Sequence, residues 1–166
     1  VRAQELCRRL GDTRQLFSTL HGLAGVHIVR GEFQTAQELI GQMLRIAEGE
    51  QEPGLLVIAH HFLGQSLYFQ GEFLSARTQL EQGLAIYDFP QHHPLAFLYG
   101  GDDPGVCCLS QDAFVLWLLG YPDQALQSSH EALILARELS HPFSLAEALG
   151  YASWLHEFRR EEQAVQ

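Results

Sequence analysis

One short block, Gly31-Glu32-Phe33-Gln34-Thr35-Ala36, returns nearly unchanged as Gly71-Glu72-Phe73-Leu74-Ser75-Ala76 and more loosely as Gly120-Tyr121-Pro122-Asp123-Gln124-Ala125. A fourth copy, Arg159-Arg160-Glu161-Glu162-Gln163-Ala164, has lost the glycine. The copies begin 40, 49 and 39 positions apart. Each lies between two segments of helical periodicity, so the copies read as the turns of successive helical hairpins. A fixed period of this size marks a repeat array, in which no hairpin hides its apolar face alone and each stacks on the next.

The apolar spacing fills in the array. Ala3, Leu6, Cys7 and Leu10 stand at three-and-four spacing, so residues 1–10 read as the second helix of a preceding repeat, with Gly11-Asp12-Thr13 supplying its stop and the next N-cap. Hairpins are expected over 14–48, 54–87 and 104–139, and a partial repeat over 142–166. Ala36, Ile40, Met43, Leu44 and Ala47 form the buried stripe of one second helix; Ala76, Leu80, Leu84 and Tyr87 repeat it in the next. Residues 88–103 break the period. Prolines, adjacent histidines and Gly100-Gly101 there predict an irregular insertion with a helical turn around Leu95 to Tyr99. Long loops in compact domains are usually functional or loosely ordered. Val1 to Leu10 already has the pattern of a helix interior, so a piece of a longer protein is expected.

Composition narrows the partners. A hydrophobic share of 46% over 166 residues is enough to bury the core of one domain. The net charge of -10, from 20 acidic residues against arginine alone with no lysine, disfavours nucleic acid and anionic membrane. No apolar run approaches the ~18 residues of a membrane span. Three cysteines, two of them adjacent, cannot all pair, which points to reduced thiols and a cytoplasmic setting.

The hairpin residues resemble the tetratricopeptide repeat family: Leu20, Ala24, Gly31, Phe33 and Ala36 in the first hairpin, Gly64, Gly71, Phe73, Ala76 and Leu80 in the second, Leu109, Ala113, Gly120, Ala125 and Ala132 in the third. The departures are the replaced aromatic at the start, hairpins longer than the family's usual length, and the degenerate fourth turn. The resemblance implies an all-α, right-handed superhelix of αα-hairpins, a tetratricopeptide-like solenoid. Gly101-Asp102-Asp103-Pro104-Gly105-Val106-Cys107-Cys108 and Trp117-Leu118-Leu119-Gly120-Tyr121-Pro122-Asp123-Gln124-Ala125 are similar to the C-terminal repeat region of bacterial multidomain signalling ATPases and adenylate/guanylate cyclases. That likeness implies a regulatory part of a larger protein whose chemistry lies elsewhere. A phosphate-binding Gly-x4-Gly-Lys-Ser/Thr loop is impossible without lysine.

In such a stack the first helices line the concave surface. Projection places His21, Gly25, Ile28 and Val29 there, then His61, Gln65, Tyr68 and Phe69, then Ser110, Phe114, Trp117 and Leu118, then Ser153 and His156. The binding set expected from this is His21, His61, Gln65, Tyr68, Phe69, Ser110, Phe114 and Trp117, suited to an apolar helix or extended peptide. The competing reading is that the aromatics pack between hairpins. A lysine-and-asparagine clamp for a peptide carboxylate, known in chaperone-binding members of the family, is not expected.

His92, His93, Asp102, Asp103, Cys107 and Cys108 gather around the insertion, and zinc accepts all these ligand types. None of the familiar paired spacings is present, so neither metal nor cofactor is expected. His60-His61 point about 100° apart on a helix and do not act as one unit. No Gly-x-Ser-x-Gly elbow occurs, and Ser66, Ser110 and Ser128-Ser129 lie within helical patterns, so catalysis is not expected. The chain reads as an interaction or regulatory module for a protein, a peptide or other domains of its parent. The alternatives are a small-molecule sensor, marked by a closed pocket around Tyr68 and Trp117, and self-association.

Overall fold

The computed structural model describes residues 2–99 and 101–160, and every regular element among them is helical. Helix α1 (Arg2–Leu10) precedes three hairpins: α2 (Thr13–Val29) with α3 (Phe33–Glu50), α4 (Pro53–Phe69) with α5 (Phe73–Ile86), and α7 (Pro104–Leu118) with α8 (Pro122–Glu138). Helix α9 (Pro142–Phe158) opens a fourth. Each helix packs on its hairpin partner, and α2, α4, α7 and α9 also touch in order along one side. This is the all-α superhelix of stacked αα-hairpins.

The helix ends set the period. Gly31, Gly71 and Gly120 follow the first helices with φ of 74, 82 and 86°. A Cβ at any of them would meet nothing within 4 Å, so the left-handed backbone alone calls for glycine. Arg160 takes the same place after α9 with φ 58°. Its amide donates to Glu157 O at 2.9 Å, as that of Gly120 does to Trp117 O at 3.1 Å. Arg160, not Arg159, is therefore the residue equivalent to Gly120, and the fourth repeat is shifted by one from the sequence alignment. The rest of that expected turn, Glu161 to Ala164, lies outside the described residues.

Small residues set the closest approaches. A Cβ on Gly64 of α4 would lie 2.8 Å from Leu80 Cγ and 3.3 Å from the Ala76 carbonyl, so α5 rests directly on the α4 backbone. Phe17, Leu20, Ala24, Ile40 and Met43 form the buried cluster of the first hairpin; Ala113, Phe114, Leu116, Ala125 and Leu155 form that of the last. Burying each large apolar side chain contributes roughly 1.5–3 kcal/mol.

The insertion is more helical than the composition suggests. Helix α6 (Phe89–His92) leads into a 3-10 turn (His93–Phe97), ahead of the turn expected at Leu95 to Tyr99. Pro90 and Pro94 stand in first turns, where the missing amide has no intrahelical partner to lose. The segment crosses the N-terminal ends of all four first helices. Tyr99 packs edge-on against Phe17 of α2 at 5.3 Å between ring centroids. Leu95 and His92 cover Gly54 of α4, where a Cβ would lie 2.3 Å from Leu95 Cδ1. Asp103 caps α7, accepting from the Gly105 and Val106 amides at 2.9 and 3.1 Å. Phe97 meets His141, the N-cap of α9, at 5.1 Å.

Candidate functional site

Residues four apart lie one above another on a helix face, which defines a stripe on each first helix: His21–Gly25–Val29, His61–Gln65–Phe69, Ser110–Phe114–Leu118 and Gly150–Trp154–Phe158. The insertion covers the upper, N-terminal end of these stripes and leaves the lower end open. The face formed by the first helices is thereby split into two regions of different chemistry.

The upper region is a half-open, polar cavity of ≈ 130 Å³. His21, His61 and Gln65 line it from α2 and α4, Tyr99 and Asp102 from the insertion, Cys107 from α7 and Glu147 from α9. The His21 ring lies on Phe62 with centroids 4.3 Å apart. Burial lowers the pKa of His21 to about 4. Burial, and then the charge of His21, lowers that of His61 to about 4. Both rings are thus neutral at pH 7. The acids move the other way: burial and then the charge of Asp102 raise Glu147 to about 7. Burial raises Asp102, and burial together with Glu147 raises the Cys107 thiol.

The lower region is apolar. Val29, Phe69, Leu118 and Phe158 each stand two residues before the residue in the left-handed turn, one per repeat, and with Trp154 they are 47–89% exposed. Tyr68 is half-buried between Phe69 and Phe73, at 5.1 and 6.1 Å. Trp117 is half-buried in the cluster of Phe114 and Leu155.

The expected binding residues therefore divide. His21, His61 and Gln65 share the cavity; Tyr68, Phe69 and Trp117 border the apolar strip. Ser110 and Phe114 are buried, Phe114 beneath Tyr151, Trp154 and Phe158 at 5.2–6.2 Å. The one-residue shift set by Arg160 moves the α9 stripe from Ser153 to Trp154, and Phe158 enters it. No glycine marks that turn in the sequence, so nothing there signals the register.

The residues gathered around the insertion also separate. His92 accepts the Asp88 amide at 2.9 Å, and His93 Nδ1 lies 3.2 Å from Asp103 Oδ2. Cys108 points into the core, with its Sγ 3.2 Å from where a Cβ on Gly83 would be. His93 and Asp103 remain a pair, and Asp102 and Cys107 stay together apart from them, joined by Glu147 from α9.

No described helix is long and apolar enough to cross a membrane. No curated protein matches the chain. A family model described as tetratricopeptide repeat matches residues 15–88, which run from α2 to just past α5; such repeats generally mediate protein–protein interaction and are typically non-catalytic scaffolds. That match, over somewhat less than half of the chain, supports a tetratricopeptide repeat family.

Proposed function

We propose that the chain is a non-catalytic interaction module that seats an apolar partner segment along Val29, Phe69, Leu118, Trp154 and Phe158, with Tyr68 and Trp117 as its half-buried floor. The observation that carries this is the recurrence of an exposed large apolar residue at one position in all four repeats. Packed helices stand ~8–10 Å apart, so the strip is about 30 Å long. That length accommodates a helix of ~20 residues or an extended segment of ~9. Aromatic anchors on a rigid face bind without an ordering cost to the receptor, and the net charge of -10 favours a partner with basic flanks. The likeness of Gly101–Cys108 and Trp117–Ala125 to the repeat regions of bacterial signalling ATPases and nucleotide cyclases favours the reading of a cytoplasmic regulatory arm of such a parent. A small-molecule sensor is the weaker reading, because the polar cavity is not lined by Tyr68 or Trp117 and is smaller than the ~300 Å³ of ordinary organic-ligand sites.

Selection of a peptide-display library on the chain tests this, with affinities then measured by fluorescence anisotropy. Enriched sequences should be apolar, and Phe69→Ala/Trp154→Ala should weaken them at least ~10-fold while circular dichroism stays unchanged. Binding indifferent to that double variant, or capture of a second copy of the chain alone, would reject the strip as a partner site.

A further inference from the structure

The cavity under the insertion holds a group that the apolar strip does not use. Asp102 is the next-to-last residue of the insertion, Cys107 sits in the first turn of α7, and Glu147 in the second turn of α9. Their ligand atoms lie within 4.8 Å of one another, and Cys107 Sγ donates to Glu147 Oε2 at 3.4 Å. The second observation is an orphaned acceptor: Asp102 Oδ1 is sealed from solvent and has no hydrogen-bond partner among the described residues. A buried carboxylate oxygen without a donor is destabilising, and a cation would satisfy it.

We infer that Asp102, Cys107 and Glu147 bind one zinc-type divalent cation, with a fourth position open to the cavity that His21 and His61 line. Zinc takes thiolate sulfur at ~2.3 Å and carboxylate oxygen at ~2.0–2.2 Å. Tetrahedral sites hold such ligands ~3.5 Å apart, so contraction of the trio by about an ångström is enough. The ion displaces the Cys107 proton, and three anionic ligands against two positive charges leave a single net negative charge in place of a crowd of acids. Thiolate selects zinc over magnesium or calcium, which require an all-oxygen shell. The cavity of ≈ 130 Å³ leaves room for a water or an imidazole at the fourth position. Sequence spacing conceals the trio, because Glu147 stands 40 residues beyond Cys107 and is brought in only by the stacking of α9 on α7.

The test is cobalt and zinc titration of the metal-stripped 166-residue chain. One cobalt per chain should give a thiolate-to-metal charge-transfer band that zinc abolishes, and magnesium and calcium should give no stoichiometric uptake. Cys107→Ser should remove the band, Cys108→Ser and Cys7→Ser should retain it, and Glu147→Gln or Asp102→Asn should weaken zinc at least ~10-fold. Zinc should also raise the melting temperature of the wild type and not of Glu147→Gln. No stoichiometric uptake, a band that survives Cys107→Ser and so belongs to Cys7 or Cys108, or zinc affinity unchanged in both carboxylate variants would overturn the assignment, the last marking adventitious binding. Peptide capture by the apolar strip is a separate readout and is indifferent to these outcomes.

Discussion

The Tyr87 hydroxyl shares its proton between both carboxylate oxygens of Asp103, at 2.9 and 3.0 Å, so the two residues that bracket the insertion are tied directly to each other. Asp103 is fully buried, caps α7, and through its own amide donates to Ser144 Oγ at 2.9 Å. Removing it takes away the cap and leaves buried donors unmet. Asp103→Ala should cost about 3 kcal/mol and Tyr87→Phe about 1–2 kcal/mol in urea unfolding followed by tryptophan fluorescence. Values within ~0.5 kcal/mol of the wild type for both would mean that the pair does not hold the insertion.

Glycines at turns and glycines at contacts should respond differently. Gly31→Ala meets open space and should cost about 1 kcal/mol from backbone strain alone. Gly64→Ala drives a methyl into Leu80 and the Ala76 carbonyl and should cost roughly 2–3 kcal/mol. The diagnostic is Gly64→Ala combined with Leu80→Ala: the added methyl occupies part of the vacated space, so the double variant should lose less than the sum of the singles. Strict additivity would contradict the steric account.

Opposed titrations meet in the cavity. Glu147, raised from 4.5 to about 7, keeps its proton in the fold over a range where the unfolded chain has released it. Its stabilising contribution is full below about pH 4.5 and is lost as pH rises through 7. His21 and His61, lowered from 6.5 to about 4, contribute above 6.5 and lose that contribution as pH falls toward 4. In chelator, Glu147→Gln removes the first trend and exposes the second. Its stability relative to the wild type should rise by on the order of 2 kcal/mol between pH 5 and pH 8. A difference that stays constant across that range, read from thermal melts, would show that Glu147 titrates normally.

Two second helices end on residues that strain the turn. Gln51 and Ser140 hold φ of 55 and 52°, where Gly11 holds 69° at the end of α1. Gln51→Gly should stabilise by ~0.5–1 kcal/mol, and Gln51→Ala, which keeps the strain, should stay near the wild type. Equal effects of the two in chemical denaturation would point to the side chain instead of the backbone.

Legibility in the sequence follows the range of the interactions. The hairpin turns are readable because Gly31, Gly71 and Gly120 answer a purely local demand, and the row His61–Gln65–Phe69 follows from helix geometry alone. The last repeat is read one residue off because Arg160 meets the same demand without looking like glycine. The path of the insertion is not readable, since Tyr99, Leu95 and Phe97 are placed by Phe17, Gly54 and His141, all distant along the chain. Phe114 has the periodicity of a groove residue; what buries it is Tyr151, Trp154 and Phe158, supplied by the neighbouring repeat. Glu147 has the pattern of an ordinary solvent-facing acid until α9 lies on α7.

Helical solenoids behave as springs, because each repeat holds only its neighbours and small rotations add along the axis. Here Tyr99, Leu95, Asp103 and Phe97 of the insertion rest on α2, α4, α7 and α9 in turn, bridging repeats that would otherwise bend independently. The chain is braced across its mouth, and a load applied at one end should travel through it as through a stiff lever, with little of the give of a coil.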